Sequence, residues 1–149
     1  MPIIGKIKGD IVDLINNSKL DTTYFAHGCN CQNVMGAGVA GALRKAFPPV
    51  YYTDLNYRSH KYTNFSVYVK SDNVIIINLY TQLHPGRVQN QDELYNAIRI
   101  GFEKLNRRYS GEYFIIPKIG SGIAGGDWNM IQEIINDVTP DISISVCEM

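Results

Sequence analysis

Apolar residues recur along the chain with two periods, and their alternation predicts which segments are strands and which are helices. Ile3, Ile4 and Ile7 form a short apolar stretch closed by Gly9-Asp10, a strand running into a turn. Tyr24-Phe25-Ala26 predicts a second, buried strand that gives way to a loop near Gly28. Val39, Ala40, Leu43, Ala46 and Phe47 have helical spacing, so Gly38–Phe47 is predicted helical, with Pro48-Pro49 as its stop. Phe65–Val69 and Val74–Leu79 flank Ser71-Asp72-Asn73 and predict a hairpin. Leu94, Ile98, Phe102, Leu105 and Tyr109 fall on one stripe of a long helix, Asp92–Tyr109. A strand at Tyr113–Ile116, a helix at Asp127–Val138 and a last strand at Ile142–Val146 follow, the last with one face of serines. Strands and helices interleave around one hairpin, which predicts an α/β fold: a three-layer α/β/α sandwich with a central mixed sheet.

Length changes this picture little: 149 residues make one domain of the usual size, spanning 1–149. Charged residues are 19% and hydrophobic ones 45%, which excludes a disordered chain. Fourteen Lys plus Arg balance fourteen Asp plus Glu, so a dedicated phosphate-backbone binder is not expected and nucleic acid is disfavoured as a partner. Three cysteines, Cys29, Cys31 and Cys147, do not pair up, which suggests reduced thiols and a cytoplasmic setting. The first residues, MPIIGKIKGD, lack a signal-peptide core, and the longest aliphatic run, Val74–Ile77, is too short for a membrane span.

Two glycine-rich loops carry the candidate chemistry. GCNCQNVMGAGVAG runs from Gly28 to Gly41, and GSGIAGG from Gly120 to Gly126; each lies between a strand and a helix. Glycine lets a ligand approach the backbone, and a helix N-terminus offers unpaired N–H donors with partial positive charge. Two such loops on one sheet suit a diphosphate better than two incidental turns. Neither matches GxxxxGK[ST] or a dinucleotide-binding GxGxxG in the first turn.

Gly9-Asp10-Ile11-Val12, HGCNCQNVMGAGVAGAL and IPKIGSGIAGGDW occur in an order that resembles the macrodomain, an ADP-ribose-binding module, over essentially the whole chain. His-x-Cys-Asn and Ser-Gly-Ile resemble its ADP-ribose 1''-phosphate phosphatase branch. The resemblance implies that Asp10, between Gly9 and Val12, accepts the adenine amino group, with Ile11 giving a backbone donor. Asn30, beside Gly28 and Cys29, reaches the distal ribose. Gly36, Ala37, Gly38, Val39 and Ala40, after Met35, wrap the diphosphate and that ribose. Gly120, Ser121, Gly122, Ile123 and Ala124, followed by Gly125, close over the phosphates. It implies removal of the terminal phosphate from ADP-ribose 1''-phosphate. A hydrolase of protein-linked ADP-ribose and a non-catalytic reader of ADP-ribosylated partners are the alternatives. Thr81 or Gln82, and Ala124, stand where a related branch has a catalytic lysine and aspartate, which argues against lysine-dependent deacylation.

His27 is the candidate proton donor or nucleophile for a phosphomonoester, or else a structural histidine. Asp127 either orients a water or caps the helix that follows it. His27, Cys29 and Cys31 would share a face only if their strand continued, and no fourth ligand is evident, so neither a metal nor another cofactor is expected. Trp128 and Tyr80 either contact the ligand or pack in the core. His60 and His84 have no evident partner, and ten tyrosines find no explanation in the pattern.

Overall fold

The computed structural model describes residues 3–18 and 21–148. In chain order these form β1 (Ile3–Lys8), α1 (Ile11–Asn17), β2 (Thr23–Asn30), α2 (Gly38–Ala46), α3 (Pro48–Asn56), β3 (Phe65–Ser71) and β4 (Val74–Gln82). There follow α4 (Gln91–Arg108), β5 (Tyr113–Ile116), α5 (Trp128–Val138) and β6 (Ser143–Glu148). One six-stranded sheet has the order β1-β6-β5-β2-β4-β3. All neighbours are parallel except β3, which pairs antiparallel with β4 across the expected hairpin. This is the expected sandwich with its mixed sheet.

Helices cover both faces, which is why β4 reads as a continuous run buried from Val74 to Thr81 rather than as an alternation. On one face Leu94, Ile98 and Phe102 of α4 and Ile131 and Ile135 of α5 pack on Ala26, Ile77, Leu79 and Phe114. A Cβ at Gly101 would lie 2.9 Å from Leu79 Cδ1, so this glycine lets α4 rest directly on β4. On the other face Ile11, Ile15, Leu43 and Val50, from α1 to α3, pack on Phe25, Ile76 and Ile115. No helix among the described residues is long and apolar enough to cross a membrane.

Four elements differ from expectation. β2 runs on through Gly28 to Asn30, because β4 supplies a parallel partner along that whole length. Pro48 and Pro49 do not merely stop α2; they occupy the first turn of α3, where a missing N–H costs nothing. The buried face of α3 carries Val50 and Asp54, and an acid on the inner face hides the helical period. Helix α1 has seven residues and two buried positions, Ile11 and Ile15, too few to show a repeat. Likewise Ser145 is buried, since β6 lies between β1 and β5, and it accepts a 2.6 Å hydrogen bond from Tyr113 Oη.

β2 and β5 are adjacent, yet the chain leaves β2 toward α2 on one face and β5 toward α5 on the other. The two loops therefore diverge and leave a crevice at the carboxyl ends of the strands, the usual ligand position in an open α/β sheet.

Candidate functional site

That crevice is a cleft of about 300 Å³, floored by Gly28, Cys29 and Asn30 at the end of β2 and by Thr81 and Gln82 at the end of β4. Its first wall is Val34 and Gly36–Ala40; its second is Pro117–Gly120 and Gly122–Ala124, with Pro85 and Gly86 completing the rim. Both glycine loops are thus brought face to face.

The first wall ends in an open helix terminus. Ala37 is the N-cap of α2 and no side chain caps it, so the N–H groups of Gly38, Val39 and Ala40 lack intrahelical acceptors where they line the cleft. An anion placed there meets these donors and the positive end of the helix dipole. Gly38 has φ +60°, a conformation that a side chain would strain. Asn30 holds the loop between β2 and this helix: its Nδ2 donates to Val34 O at 2.8 Å, and its Oδ1 accepts from Gln32 N at 2.9 Å.

The second wall is folded on itself. Gly126 N donates to Gly120 O at 2.7 Å and Gly125 N to Gly122 O at 3.0 Å. From the rim, Val88 N donates to Ala124 O at 3.0 Å. Gly120 takes φ +80°, and a Cβ there would meet Ile98 Cδ1 at 2.9 Å, so it serves the turn and the core beneath it. Asp127 is exposed and caps α5, accepting from Asn129 N at 2.9 Å. It does not line the cleft, and its carboxylate is committed to the cap. The capping alternative is the one the geometry matches.

Gly9, Asp10, Ile11 and Val12 stand at the carboxyl end of β1, on the same edge of the sheet but outside the cleft lining. β1 is three strand spacings from β2, roughly 14 Å at the usual interstrand distance. Asp10 is the N-cap of α1 by position, yet its side chain makes no capping bond, which leaves the carboxylate available. The Ile11 side chain is buried, so only its backbone can face a ligand. Ser121 and Gly125 belong to the second loop but do not line the cleft, and Met35 is buried beside the first.

His27 departs most from expectation. It is 1% exposed, absent from the cleft lining, and bonded through Nε2 to Asn78 Oδ1 at 2.6 Å. Asn78 Oδ1 can only accept, so Nε2 carries the proton. From there the donors run in one direction: Asn78 Nδ2 to Ser66 Oγ (3.1 Å), Ser66 to Tyr80 Oη (2.8 Å), and Tyr80 O–H to Asp54 Oδ1 (2.8 Å). Burial lowers the His27 pKa from 6.5 to about 4, which keeps the ring neutral near pH 7. Tyr80 is raised, also chiefly by burial, and therefore stays a donor. A histidine in that position serves the core and cannot reach a ligand in the cleft. Cys29 Sγ lies 3.6 Å from His27 Nε2, but no three potential metal ligands are grouped among the described residues. Trp128 packs against the core, as Tyr80 does.

Thr81, Gln82, Pro85, Gly86 and Lys118 line the cleft, although the motifs do not mark them as binding residues. The signal available was position: Thr81 and Gln82 end the most apolar strand, where a parallel sheet opens to solvent. Gln82 Nε2 donates to His84 O (2.6 Å) and Gly86 O (3.0 Å), fixing the turn at the rim. Lys118 pairs with Glu148 at 2.9 Å, and that hydrogen bond holds the Glu148 carboxyl below its ordinary pKa.

The Macro domain family profile matches residues 26–135. An uncharacterised 17.5 kDa protein from the tk-vs intergenic region of Enterobacteria phage T4 is 32% identical, covering 98% of this chain and 96% of its own. A Debaryomyces hansenii protein named ADP-ribose 1''-phosphate phosphatase is 24% identical over 90% of this chain and 93% of its own. Among solved structures, the macrodomain of Thermus aquaticus DarG has a TM-score of 0.75 at 18% identity, covering 98% of this chain and 99% of that one. Thermosipho africanus DarTG in complex with ADP-ribose has a TM-score of 0.69 at 16% identity, covering 83% of this chain and 37% of that one. At such identities the structural likeness concerns the fold.

Proposed function

The chain belongs to the macro domain family, and from that premise we propose that its cleft binds ADP-ribose 1''-phosphate and releases the terminal phosphate, leaving ADP-ribose. The observation that carries the ligand is the uncapped N-terminus of α2 facing a second glycine loop, a pair of backbone walls suited to a diphosphate. Asp10 supports the other end of the same ligand. A carboxylate repels phosphate but accepts a hydrogen bond from an adenine amine. Its distance from β2, roughly 14 Å, suits an extended dinucleotide-sized molecule and is too great for a mononucleotide to span both. The reaction is supported by the name of the Debaryomyces relative. In it water adds to phosphorus, the bond to the 1''-oxygen breaks, and a proton passes to that oxygen. Of the polar side chains of the lining, Asn30 and Gln82 are bonded to loop backbone and Lys118 to Glu148, so we assign the phosphate and the water to Thr81 and the backbone N–H groups of the walls.

A second reading, a reader that binds ADP-ribose or ADP-ribosylated proteins without turnover, is favoured by one observation. His27 and Asp127 both stand outside the cleft, and its described lining contains no histidine or carboxylate. Incubation with ADP-ribose 1''-phosphate, following phosphate release, separates the two; calorimetric titration with ADP-ribose and AMP tests the ligand. Release at a rate above a Gly38→Val control supports the phosphatase. Tight ADP-ribose binding without release leaves the reader, and equal affinity for AMP and ADP-ribose overturns both.

A further inference from the structure

Behind the first glycine loop lies a buried ion pair that the cleft chemistry does not use. Asp54, on the inner face of α3, is 0% exposed. Lys61, in the segment between α3 and β3, has a side chain only 12% exposed. Its ammonium donates to Asp54 Oδ1 at 2.8 Å and to Asp54 O at 3.0 Å. The third donor goes to Asn33 Oδ1, and Asn33 belongs to the cleft loop.

A buried ion pair contributes little to stability relative to an apolar substitute, so stability alone does not account for it. Asp54 also leaves Oδ2 buried without a partner, a cost that a purely structural pair would avoid. Asn33 is exposed, does not line the cleft, and sits at φ +60°, unusual for a residue other than glycine. Its neighbour Val34 and, further on, Gly36 and Ala37 do line it. Asn30 ties this loop from inside; its outer bend is held from behind by the lysine.

We infer that Lys61, fixed by Asp54, is a positioning residue that sets the first glycine loop, through Asn33, in its ligand-ready shape. The inference rests on the proposed ADP-ribose cleft. A loop ordered before the ligand arrives is not ordered at the ligand's expense, so affinity rises without any direct contact.

The test combines amide hydrogen exchange over residues 31–37 of the free protein with ADP-ribose affinity. Asn33→Gly keeps the positive φ and removes the acceptor; Asn33→Asp keeps an acceptor and tolerates the same backbone. Asp54→Asn with Lys61→Met removes both charges together, avoiding an orphaned carboxylate, and leaves Asn33 in place. In Asn33→Gly and in the paired variant, exchange in the loop is expected to quicken about tenfold, the factor that one released residue's backbone entropy represents. Affinity should fall by a similar factor, with Asn33→Asp close to wild type in both. Unchanged loop exchange, or faster exchange with unchanged affinity, overturns the inference, as does an Asn33→Asp that behaves like Asn33→Gly. Should the wild type take up no ADP-ribose, the proposed function fails, while the exchange measurements still decide whether Lys61 orders the loop.

Discussion

The two glycine loops look alike in the chain and are built on opposite plans. The loop after β2 forms few backbone bonds of its own; side chains from below, Asn30 and Lys61, hold it, and it opens onto a helix whose first N–H groups have no cap. The loop after β5 closes on itself through Gly120, Gly122, Gly125 and Gly126, and its helix is capped by Asp127. One wall keeps its helix-terminal donors free for an anion, and the other is braced by backbone bonds of its own. Glycine content therefore marks where backbone comes close to something, while the capping residue tells whether the helix donors stay free or are spent within the protein.

The largest expected effect tests what lies beneath the first wall. His27 stays neutral in the fold down to about pH 4 but takes up a proton near 6.5 when unfolded. Its contribution to stability is therefore intact above 6.5, falls between 6.5 and about 4, and is flat below. At about 1.4 kcal/mol per unit the loss is roughly 3 kcal/mol. Denaturant titrations of wild type and His27→Gln across that interval should diverge by this amount. Parallel curves would show that His27 is not buried neutral.

Next comes the same substitution in each wall. Gly38→Val should lower ADP-ribose affinity roughly a hundredfold, the loss of about two hydrogen bonds to a charged group. It should also cost about 1–2 kcal/mol of stability, from the positive φ. A Cβ at Gly122 would meet open space, so the melting temperature of Gly122→Val should hold while binding weakens by a smaller factor. Calorimetry with thermal melts checks both, and equal stability losses would erase the contrast between the loops.

At the far end of the ligand, Asp10→Ala is expected to weaken ADP-ribose binding by ~1–3 kcal/mol, the scale of a hydrogen bond to a charged group. The melting temperature should stay unchanged, because Asp10 caps nothing. Smallest is Asp127→Ala, expected to remove ~1 kcal/mol of stability as a lost N-cap. ADP-ribose affinity and phosphate release should be unaffected; a fall in release alone would return Asp127 to the chemistry.

The expectations that held rest on local signals. The stripe Leu94–Ile98–Phe102–Leu105 and the hairpin around Asp72-Asn73 are each complete within one segment, and both stand as expected. Both glycine loops were found because their composition is itself the signal. Of the two readings of His27 the geometry matches the structural one, and the choice depended on which face of β2 the side chain takes and what covers it. That is settled by Asn78, fifty-one residues away on β4. The pattern does not mark Asp54 and Lys61 for a similar reason, since an acid in a helix and a lysine in a loop read as solvated charges until α3 is laid against the sheet.

From the order of its apolar runs and its three motifs alone, this chain determined a mixed α/β sandwich and the two glycine loops that line its cleft. Those properties depend on periodicity and backbone freedom, which neighbouring residues specify. Only the tertiary structure decided which polar side chains reach the cleft and which are spent inside. The hydrogen bonds that make this choice join β2 to β4, β4 to α3, and the segment after α3 to the first loop, so no single segment contains both partners.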